Sequence, residues 1–280
     1  CNTSIDFQKD TLGNGEVFPA TTNGYGKTCE KVEGIEVSTC AHGTHVAGIA
    51  VGNPLTSSEQ VYGLCPYCKF LAMKIVKTEI SSSGSGTSGI SDSSILRALQ
   101  YVAELKRNGQ RIVRVVNSSF GKYQKSRSVG LIVRYLSEEG RGVLIVGAAS
   151  NEDSMSRSYP AAFSDAFAVS ALDENEEKAN YSNSGAWVDI AAPGTNIESA
   201  SPGGGVRPDS GTSFAAPIVA GIAGLVFSNY PELTATQMKE RLIITSNPGI
   251  YDGRNEGYNP KFPGFRETTR LLGAGQVDAY

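Results

Sequence analysis

Apolar residues recur along the chain in runs that alternate between the period of a strand and that of a helix. Residues 143–148 form an uninterrupted apolar run, which is typical of a strand covered on both faces of a sheet. Shorter apolar runs predict further strands at residues 70–76, 112–117, 167–171 and 187–191. Because strands and helices alternate, the chain is predicted to be an α/β protein whose parallel sheet has helices on both faces.

Apolar residues at helical spacing predict helices at residues 42–51, 92–105, 128–139, 212–228 and 234–244. The segment 212–228 is apolar on nearly all sides, so its helix is predicted to be buried. Asp92 is predicted to cap the second helix, and Thr234 begins a capping box for the last one. The segments 1–41 and 81–94 are rich in turn-forming residues and predict loops.

The composition is that of a globular protein. The chain has 280 residues, of which 40% are hydrophobic and 19% charged, so residues 1–280 are predicted to form one large domain. The net charge of −3 comes without a basic stripe, and nucleic acid is therefore not an expected partner. No apolar run reaches the roughly 18 residues that a membrane helix needs, so no membrane span is predicted.

The five cysteines bear on the cellular compartment. Cys65 and Cys68 have a spacing that fits a redox pair, half of a zinc site or a short-loop disulfide. A redox pair needs a helix after the motif, where a strand-like run follows, and zinc needs a second pair of ligands. We therefore predict a structural disulfide between Cys65 and Cys68. Cys29 is then expected to pair with Cys40, which leaves Cys1 over. Disulfides predict a secreted, periplasmic or cell-surface location.

The strongest candidate for chemistry is Ser213, which lies at the start of the apolar helix in the segment SGTSFAAP. The unpaired amides and the dipole of a helix N-terminus favour negative charge. A serine there can attack a carbonyl while its own N–H faces the oxyanion that forms. Taken alone, the segment would more often be a simple helix cap. It is not the G-x-S-x-G elbow, because Ala215 stands two positions after the serine.

Both histidines of the chain, His42 and His45, lie in the segment AHGTHVAG. A side chain that acts as a base near neutral pH is most readily a histidine. Zinc binding is the competing interpretation, since two histidines three positions apart can share a helix face. The H-E-x-x-H pattern is absent, however, and no third ligand is evident. A purely structural role for the pair also stays open.

Asn151 follows the apolar run 143–148, where the carboxyl end of a buried strand is expected. In open α/β sheets, ligands bind at that end of the strands. A side-chain amide there can donate a hydrogen bond to a developing oxyanion. In isolation, an asparagine after a strand is usually only a turn residue.

Together these segments resemble the subtilisin family of serine peptidases. HGTHVAG, a strand ending in Asn-Glu, and GTS-x-A-x-P-x-V-A-G occur in the family's order, and the resemblance runs from residue 2 to about residue 280. The resemblance implies a seven-stranded parallel sheet with flanking helices, and peptide-bond hydrolysis through an acyl-enzyme. It implies His42 as general base and Ser213 as nucleophile. The Asn151 side chain and the Ser213 amide would form the oxyanion hole.

The resemblance also implies where substrate binds. Two wall segments are expected to line the pocket for the residue before the cut: Ser119, Phe120, Gly121, Ala148, Ala149 and Ser150. Ser158 would lie near its floor and Glu152 at its rim, where a lysine or arginine is expected to be tolerated. Without a charge at the floor, the pocket is expected to prefer aromatic or aliphatic side chains. The expected partners are a peptide or protein substrate and, in addition, a propeptide or a cleaved N-terminal chain. Calcium is common in the family, so a calcium cofactor stays open, but no metal ligand is assigned.

The family's catalytic acid has no clean match. Its motif is an aspartate in D-T/S-G-I/V after an apolar strand, whereas the best match here places Asn2 at the acid and Ser4 at the glycine. Three interpretations stay open: an engineered Asp→Asn change, a natural asparagine, and a shifted alignment with Asp6 as the acid. This match also lacks the family's N-terminal strand and helix, so upstream residues are expected.

The predicted function is therefore a serine endopeptidase that is inactivated at the acid position if Asn2 occupies it. The alternative is a catalytically silent subtilisin-fold module that binds peptides without cleaving them, which a natural asparagine would favour. A metal or redox protein built on the histidines and on the Cys65–Cys68 pair is a third, weaker hypothesis.

Overall fold

The computed structural model describes residues 4–6, 38–53, 61–80, 86–138, 142–201, 204–251 and 271–278, with the backbone alone at 4–6, 38–40, 77–80, 86–88 and 110. Its helices are α1 Ser38–Val51, α2 Asp92–Glu104, α3 Arg127–Glu138, α4 Thr212–Asn229 and α5 Ala235–Ile244. Its strands are β1 Ser4–Asp6, β2 Ala72–Lys74, β3 Val76–Ile80, β4 Gly86–Ile90, β5 Lys106–Arg107, β6 Gln110–Arg111, β7 Val115–Ser118, β8 Leu144–Ala148, β9 Phe167–Leu172, β10 Ile190–Pro193, β11 Ile197–Ala200 and β12 Val206–Asp209.

Four parallel strands form the main sheet, in the order β10-β9-β8-β7. A separate parallel pair joins β1 to β2 and places Asp6 opposite Lys74. Three antiparallel hairpins, β3-β4, β5-β6 and β11-β12, lie outside these sheets. The predicted α/β architecture with a parallel sheet is confirmed. The seven strands implied by the family resemblance are not, because the described strands divide into parallel sheets of four and two.

The main sheet is covered on both faces because its strands alternate between two cores. Leu144, Val146 and Ala148 of β8 pack in the cluster that contains α4. Val143 and Ile145 pack on the opposite face, with the apolar residues of α2 and α3. Since successive side chains of a strand point to opposite faces, this arrangement explains the uninterrupted apolar run.

Helix α4 is buried on most of its surface. Among the described residues it is the one helix long and apolar enough to cross a membrane, but 61% of its span is buried inside the protein, as in a core helix. A Cβ on Gly221 would lie 2.6 Å from the Cβ of Leu64, and one on Gly224 would lie 3.1 Å from the Sγ of Cys68. The predicted disulfide between Cys65 and Cys68 is present and packs against Gly224.

Several local expectations differ from the structure, and residues 38–41, predicted to be loop, form the start of α1. Residues 4–6 and 86–90 are strands and not loops, because β2 and β3 supply pairing partners that the local sequence does not reveal. Ser91, and not Asp92, caps α2, since Ser91 Oγ accepts a hydrogen bond from the Ser94 amide at 3.1 Å. The capping box of Thr234 is confirmed. The predicted Cys29–Cys40 pairing and Cys1 lie outside the side chains that the structure describes.

Candidate active site

Ser213 is the second residue of α4 and is half-buried beside the carboxyl ends of β7 and β8. Helix position 217 is a proline, which has no N–H to donate to the Ser213 carbonyl four residues earlier. Ser119 Oγ donates to that carbonyl instead, at 2.7 Å. Ser213 Oγ in turn donates to the Ser119 carbonyl at 3.2 Å. The segment after β7 is therefore tied to the candidate nucleophile by two reciprocal hydrogen bonds.

The side chain of Asn151 is oriented by the same helix end. Its Oδ1 accepts hydrogen bonds from the amide and from Oγ1 of Thr212, both at 2.9 Å. Because an N–H donates to this atom, it must be the oxygen, and Nδ2 points the other way. Nδ2 has no acceptor among the described residues, and a Cβ on Gly211 would lie 3.2 Å from it. Asn151 thus presents a free donor next to Ser213, as an oxyanion hole requires.

His42 is half-buried on α1, with its ring centroid 5.6 Å from that of Phe214, the residue after Ser213. Burial lowers the pKa of His42 below the ordinary value of 6.5, and the carboxylate of Asp209 partly opposes this effect. The neutral imidazole is therefore available as a base near neutral pH. Within the described part of the chain, Ser213 Oγ donates its hydrogen bond to the Ser119 carbonyl and not to His42. A rotation of the serine side chain is needed to engage the base.

His45, the second histidine, is a buried structural residue. Its side chain is fully buried, its ring centroid lies 4.5 Å from that of Phe214 with the two rings tilted, and its Nε2 donates a hydrogen bond to the Ile197 carbonyl at 2.8 Å. Burial lowers its pKa, so the ring is neutral. No group of three or more His, Cys, Asp or Glu side chains within the described part of the chain is placed to hold a metal. The geometry therefore gives no support to the zinc interpretation.

The two candidates for the acid are related differently in sequence to β1. Asp6 is the last residue of that strand and Asn2 precedes it. Asn2 is outside the described residues, and the structure describes only the backbone of Asp6.

The expected wall segments lie side by side. β7 and β8 are paired in parallel, with Ser118 opposite Gly147, so Ser119, Phe120 and Gly121 leave the sheet beside Ala148, Ala149 and Ser150. Ser150 has a φ of +86°, which is unusual for a residue with a side chain and is a form of strain found at functional sites. Its Oγ lies 2.8 Å from that of Ser158, and the two hydroxyls are hydrogen bonded.

A partly exposed hydrogen-bond network that the sequence analysis missed holds Glu152. The hydroxyl of Tyr123 donates to the Glu152 carboxylate. Asn183 is fully buried. Its Oδ1 accepts a hydrogen bond from the Glu152 amide at 3.1 Å, and its Nδ2 donates one to the Tyr123 hydroxyl at 3.3 Å. Lys178 extends the network by an ion pair with Asp153 at 2.9 Å. No local motif marks Tyr123, Asn183 or Lys178, because each is defined by a partner distant in sequence.

Comparisons with known proteins agree with this geometry. A model of the Subtilase family (Peptidase_S8) matches residues 22–275. Subtilisin Savinase of Lederbergia lenta is 38% identical over 205 residues, which are 73% of this chain and 70% of that protein. M-protease of Shouchella clausii (strain KSM-K16) is also 38% identical over 205 residues, but the match covers only 49% of it, so the chain spans about half the length of that relative.

Solved structures give the same result. The Prenylagaramide maturation protease PagA superposes with a TM-score of 0.66 and 27% identity, covering 85% of this chain and 79% of that one. The self-cleaved protease domain of PatA has a TM-score of 0.64 and 27% identity, covering 85% and 80% of the two chains.

Proposed function

Because the chain belongs to the subtilase family, we propose that it is a serine endopeptidase domain in which Ser213 is the nucleophile and His42 the general base. The observation that carries this proposal is the free Nδ2 of Asn151, fixed beside Ser213 by two hydrogen bonds from Thr212. A hydroxyl at a helix N-terminus, a nearby neutral imidazole and a fixed amide donor are the groups that acyl transfer needs.

In the proposed reaction, Ser213 Oγ leaves the Ser119 carbonyl, gives its proton to His42 and attacks the substrate carbonyl carbon. The oxyanion accepts hydrogen bonds from Asn151 Nδ2 and from the Ser213 N–H. His42 then protonates the leaving amine. A water molecule hydrolyses the acyl-enzyme, again with His42 as the base. Burial around His42 favours the neutral form from which each cycle begins.

For the acid that orients His42, we favour Asp6 over Asn2. Groups that act on ligands in parallel sheets are carried at the carboxyl ends of the strands. Asp6 ends β1, just as Asn151 follows β8, whereas Asn2 precedes the strand. With this assignment the strand before the acid is present, and an asparagine at the acid position need not be invoked. The catalytically silent module has no observation in its favour.

Labelling by a serine-directed phosphonate tests the proposal. The wild-type protein should be labelled at Ser213 and should cleave a denatured protein substrate. Ser213→Ala should abolish both, with a loss in turnover of about 10⁶-fold, the loss known for removal of the nucleophile of a subtilisin. Ser228→Ala, at an exposed serine of the same helix, is the matched control and should behave as wild type. Labelling that persists in Ser213→Ala would show that Ser213 is not the nucleophile.

We also propose export to an oxidising compartment and a peptide or protein substrate. The Cys65–Cys68 disulfide supports the compartment. A propeptide or cleaved N-terminal chain stays a proposal from the family resemblance. The described residues offer no cluster of ligands for calcium, so no ligand and no reaction step is assigned to that ion. A midpoint of thermal unfolding that falls on chelation with EDTA and recovers with added calcium would place a site in the remaining residues or in backbone carbonyls.

A further inference from the structure

The cleft beside the nucleophile lies between the segments that follow β7 and β8. These strands are adjacent and parallel, so both segments leave the same edge of the sheet. Ser119, at the start of one segment, is hydrogen bonded to Ser213. Asn151, at the end of the other, carries the free amide. In the binding mode that the family resemblance implies, the side chain just before the cleaved bond enters this cleft when Ser213 attacks a peptide carbonyl held by that amide.

Two hydroxyls close the cleft between its walls. Ser150 Oγ reaches from one wall to within 2.8 Å of Ser158 Oγ, and Ser158 is fully buried. A Cβ on Gly121, in the opposite wall, would lie 2.0 Å from Ser158 Oγ and 2.9 Å from Ser150 Oγ. The space beside Gly121 is therefore already occupied by the two hydroxyls, and it has no room for a large side chain.

The floor is anchored by the backbone and cannot simply swing away. Lys122 and Tyr159 form an antiparallel bridge, with N–H···O distances of 2.9 and 2.8 Å. This bridge holds Ser158 against Gly121, since each is the chain neighbour of a bridged residue. To admit a large side chain, the Ser150–Ser158 hydrogen bond would have to break and the bridge would have to shift.

The acidic group at the rim already accepts one hydrogen bond from the protein. The Tyr123 hydroxyl donates to the Glu152 carboxylate and is itself held by Asn183, which is fully buried. The side chain of Asn183 also accepts hydrogen bonds from the amides of Glu152 and Ser154, at 3.1 and 3.2 Å. A lysine or arginine in the cleft would have to share with the tyrosine a carboxylate whose orientation is already fixed.

From this geometry we infer that the cleft selects substrates with a small uncharged residue, such as glycine, alanine or serine, immediately before the cleaved bond. The inference rests on the proposed endopeptidase function and names its substrate class. It departs from the preference for aromatic or aliphatic residues expected from the sequence. That expectation took account of the missing charge at the floor, but not of the two hydroxyls that fill the space.

A panel of fluorogenic peptides that differ only in the residue before the cleaved bond tests the inference. Alanine and serine peptides should exceed leucine and phenylalanine peptides in kcat/KM by at least about 10-fold, because even one mismatched methylene changes kcat/KM by about 10–200-fold. Ser158→Gly removes one hydroxyl of the floor and should move the leucine-to-alanine ratio towards leucine by about 10-fold. Ser156→Gly, the same change at an exposed serine of the same loop, should leave the ratio as in wild type.

A second variant tests the rim. Tyr123→Phe keeps the ring but removes the hydroxyl that engages Glu152, so cleavage after lysine should rise relative to cleavage after alanine. Active sites are first titrated with the phosphonate that labels Ser213, and circular dichroism confirms that each variant is folded. If the wild type is labelled but cleaves after phenylalanine as well as after alanine, or if Ser158→Gly leaves the ratio unchanged, the inference is wrong while the proposed function stands. If Ser213 is not labelled, the proposed function fails and the inference fails with it.

Discussion

The nucleophile and the cleft beside it share the Ser119–Ser213 contact, yet they depend on different kinds of interaction. Ser213 stands on α4, which is held by close apolar packing against the sheet and α1. The cleft is held by hydrogen bonds among Ser150, Ser158, Tyr123 and Asn183. Close packing fixes a position from many small contacts, whereas a hydrogen-bond network depends on each member. Changes around the nucleophile should therefore alter the rate, and changes in the cleft should alter selectivity or local stability.

After the nucleophile itself, the largest expected effect concerns the acid. Asp6→Asn should lower kcat/KM for peptide hydrolysis by about 10⁴-fold, because an amide cannot stabilise the imidazolium of His42 and favours the wrong tautomer. Asn2→Asp is the matched change at the other candidate and should have little effect. If instead Asn2→Asp raises the rate by orders of magnitude and Asp6→Asn leaves it unchanged, Asn2 occupies the acid position.

Asn151→Ala should cause the next largest loss of activity. Removal of the oxyanion donor should lower kcat by about 10²–10³-fold with little change in KM, as is known for the oxyanion-hole asparagine of subtilisin. Asn180→Ala, at an exposed asparagine, serves as the control. A change confined to KM would mean that Asn151 binds substrate without stabilising the oxyanion.

Beside the cleft, Lys178→Met should act on the stability of the loop that follows Asn151. Lys178 donates to the Asp153 carboxylate at 2.9 Å and to the carbonyls of Ala179 and Ser182, with both ion-pair side chains only 21% exposed. Loss of the ammonium leaves these acceptors poorly satisfied, so the free energy of unfolding should fall by about 1–3 kcal/mol. Urea denaturation of the variant and the wild type would measure this fall in the free energy of unfolding.

Arg134→Met, at a well-exposed ion pair with Glu138, is the control and should change the free energy of unfolding little. If Lys178→Met proves as mild as this control, the ion pair does not hold the loop after Asn151.

The smallest effect should come from Asp209→Asn. The carboxylate of Asp209 raises the pKa of His42 by favouring the imidazolium, so its removal should lower that pKa. Since the base must be neutral to accept a proton, the acid limb of the kcat/KM profile should move to lower pH. Glu198→Gln is a control for general charge effects. A shift to higher pH would show that Asp209 acts on His42 in another way.

The same contrast explains how much could be predicted from the sequence. The residues around Ser213, His42 and Asn151 lie in local motifs, and the buried helix and strand that carry two of them have clear periodicity, so α4 and β8 were predicted within a residue or two. The cleft could not be predicted in this way. Tyr123 and Asn183 are 60 residues apart, and Lys178 and Asp153 are 25 apart.

Strand pairing also escaped prediction where the local pattern is weak. β4 consists of Gly, Thr, Ser, Gly and Ile, which predict a loop, and only the ladder with β3 makes it a strand. β1 is three residues long and depends in the same way on β2. Such segments are determined by their partners and not by their own propensity.

The burial of α4 has a consequence for how such an enzyme can diversify. Most changes at the buried positions of that helix disturb core packing, so variation at those positions is limited by whether the chain folds. The Ser150–Ser158 floor and the Tyr123–Glu152 rim can each be altered by the loss of one hydroxyl, without a cavity in the main core. Substrate selectivity can therefore change through a few hydroxyl groups of the cleft while the catalytic residues stay the same.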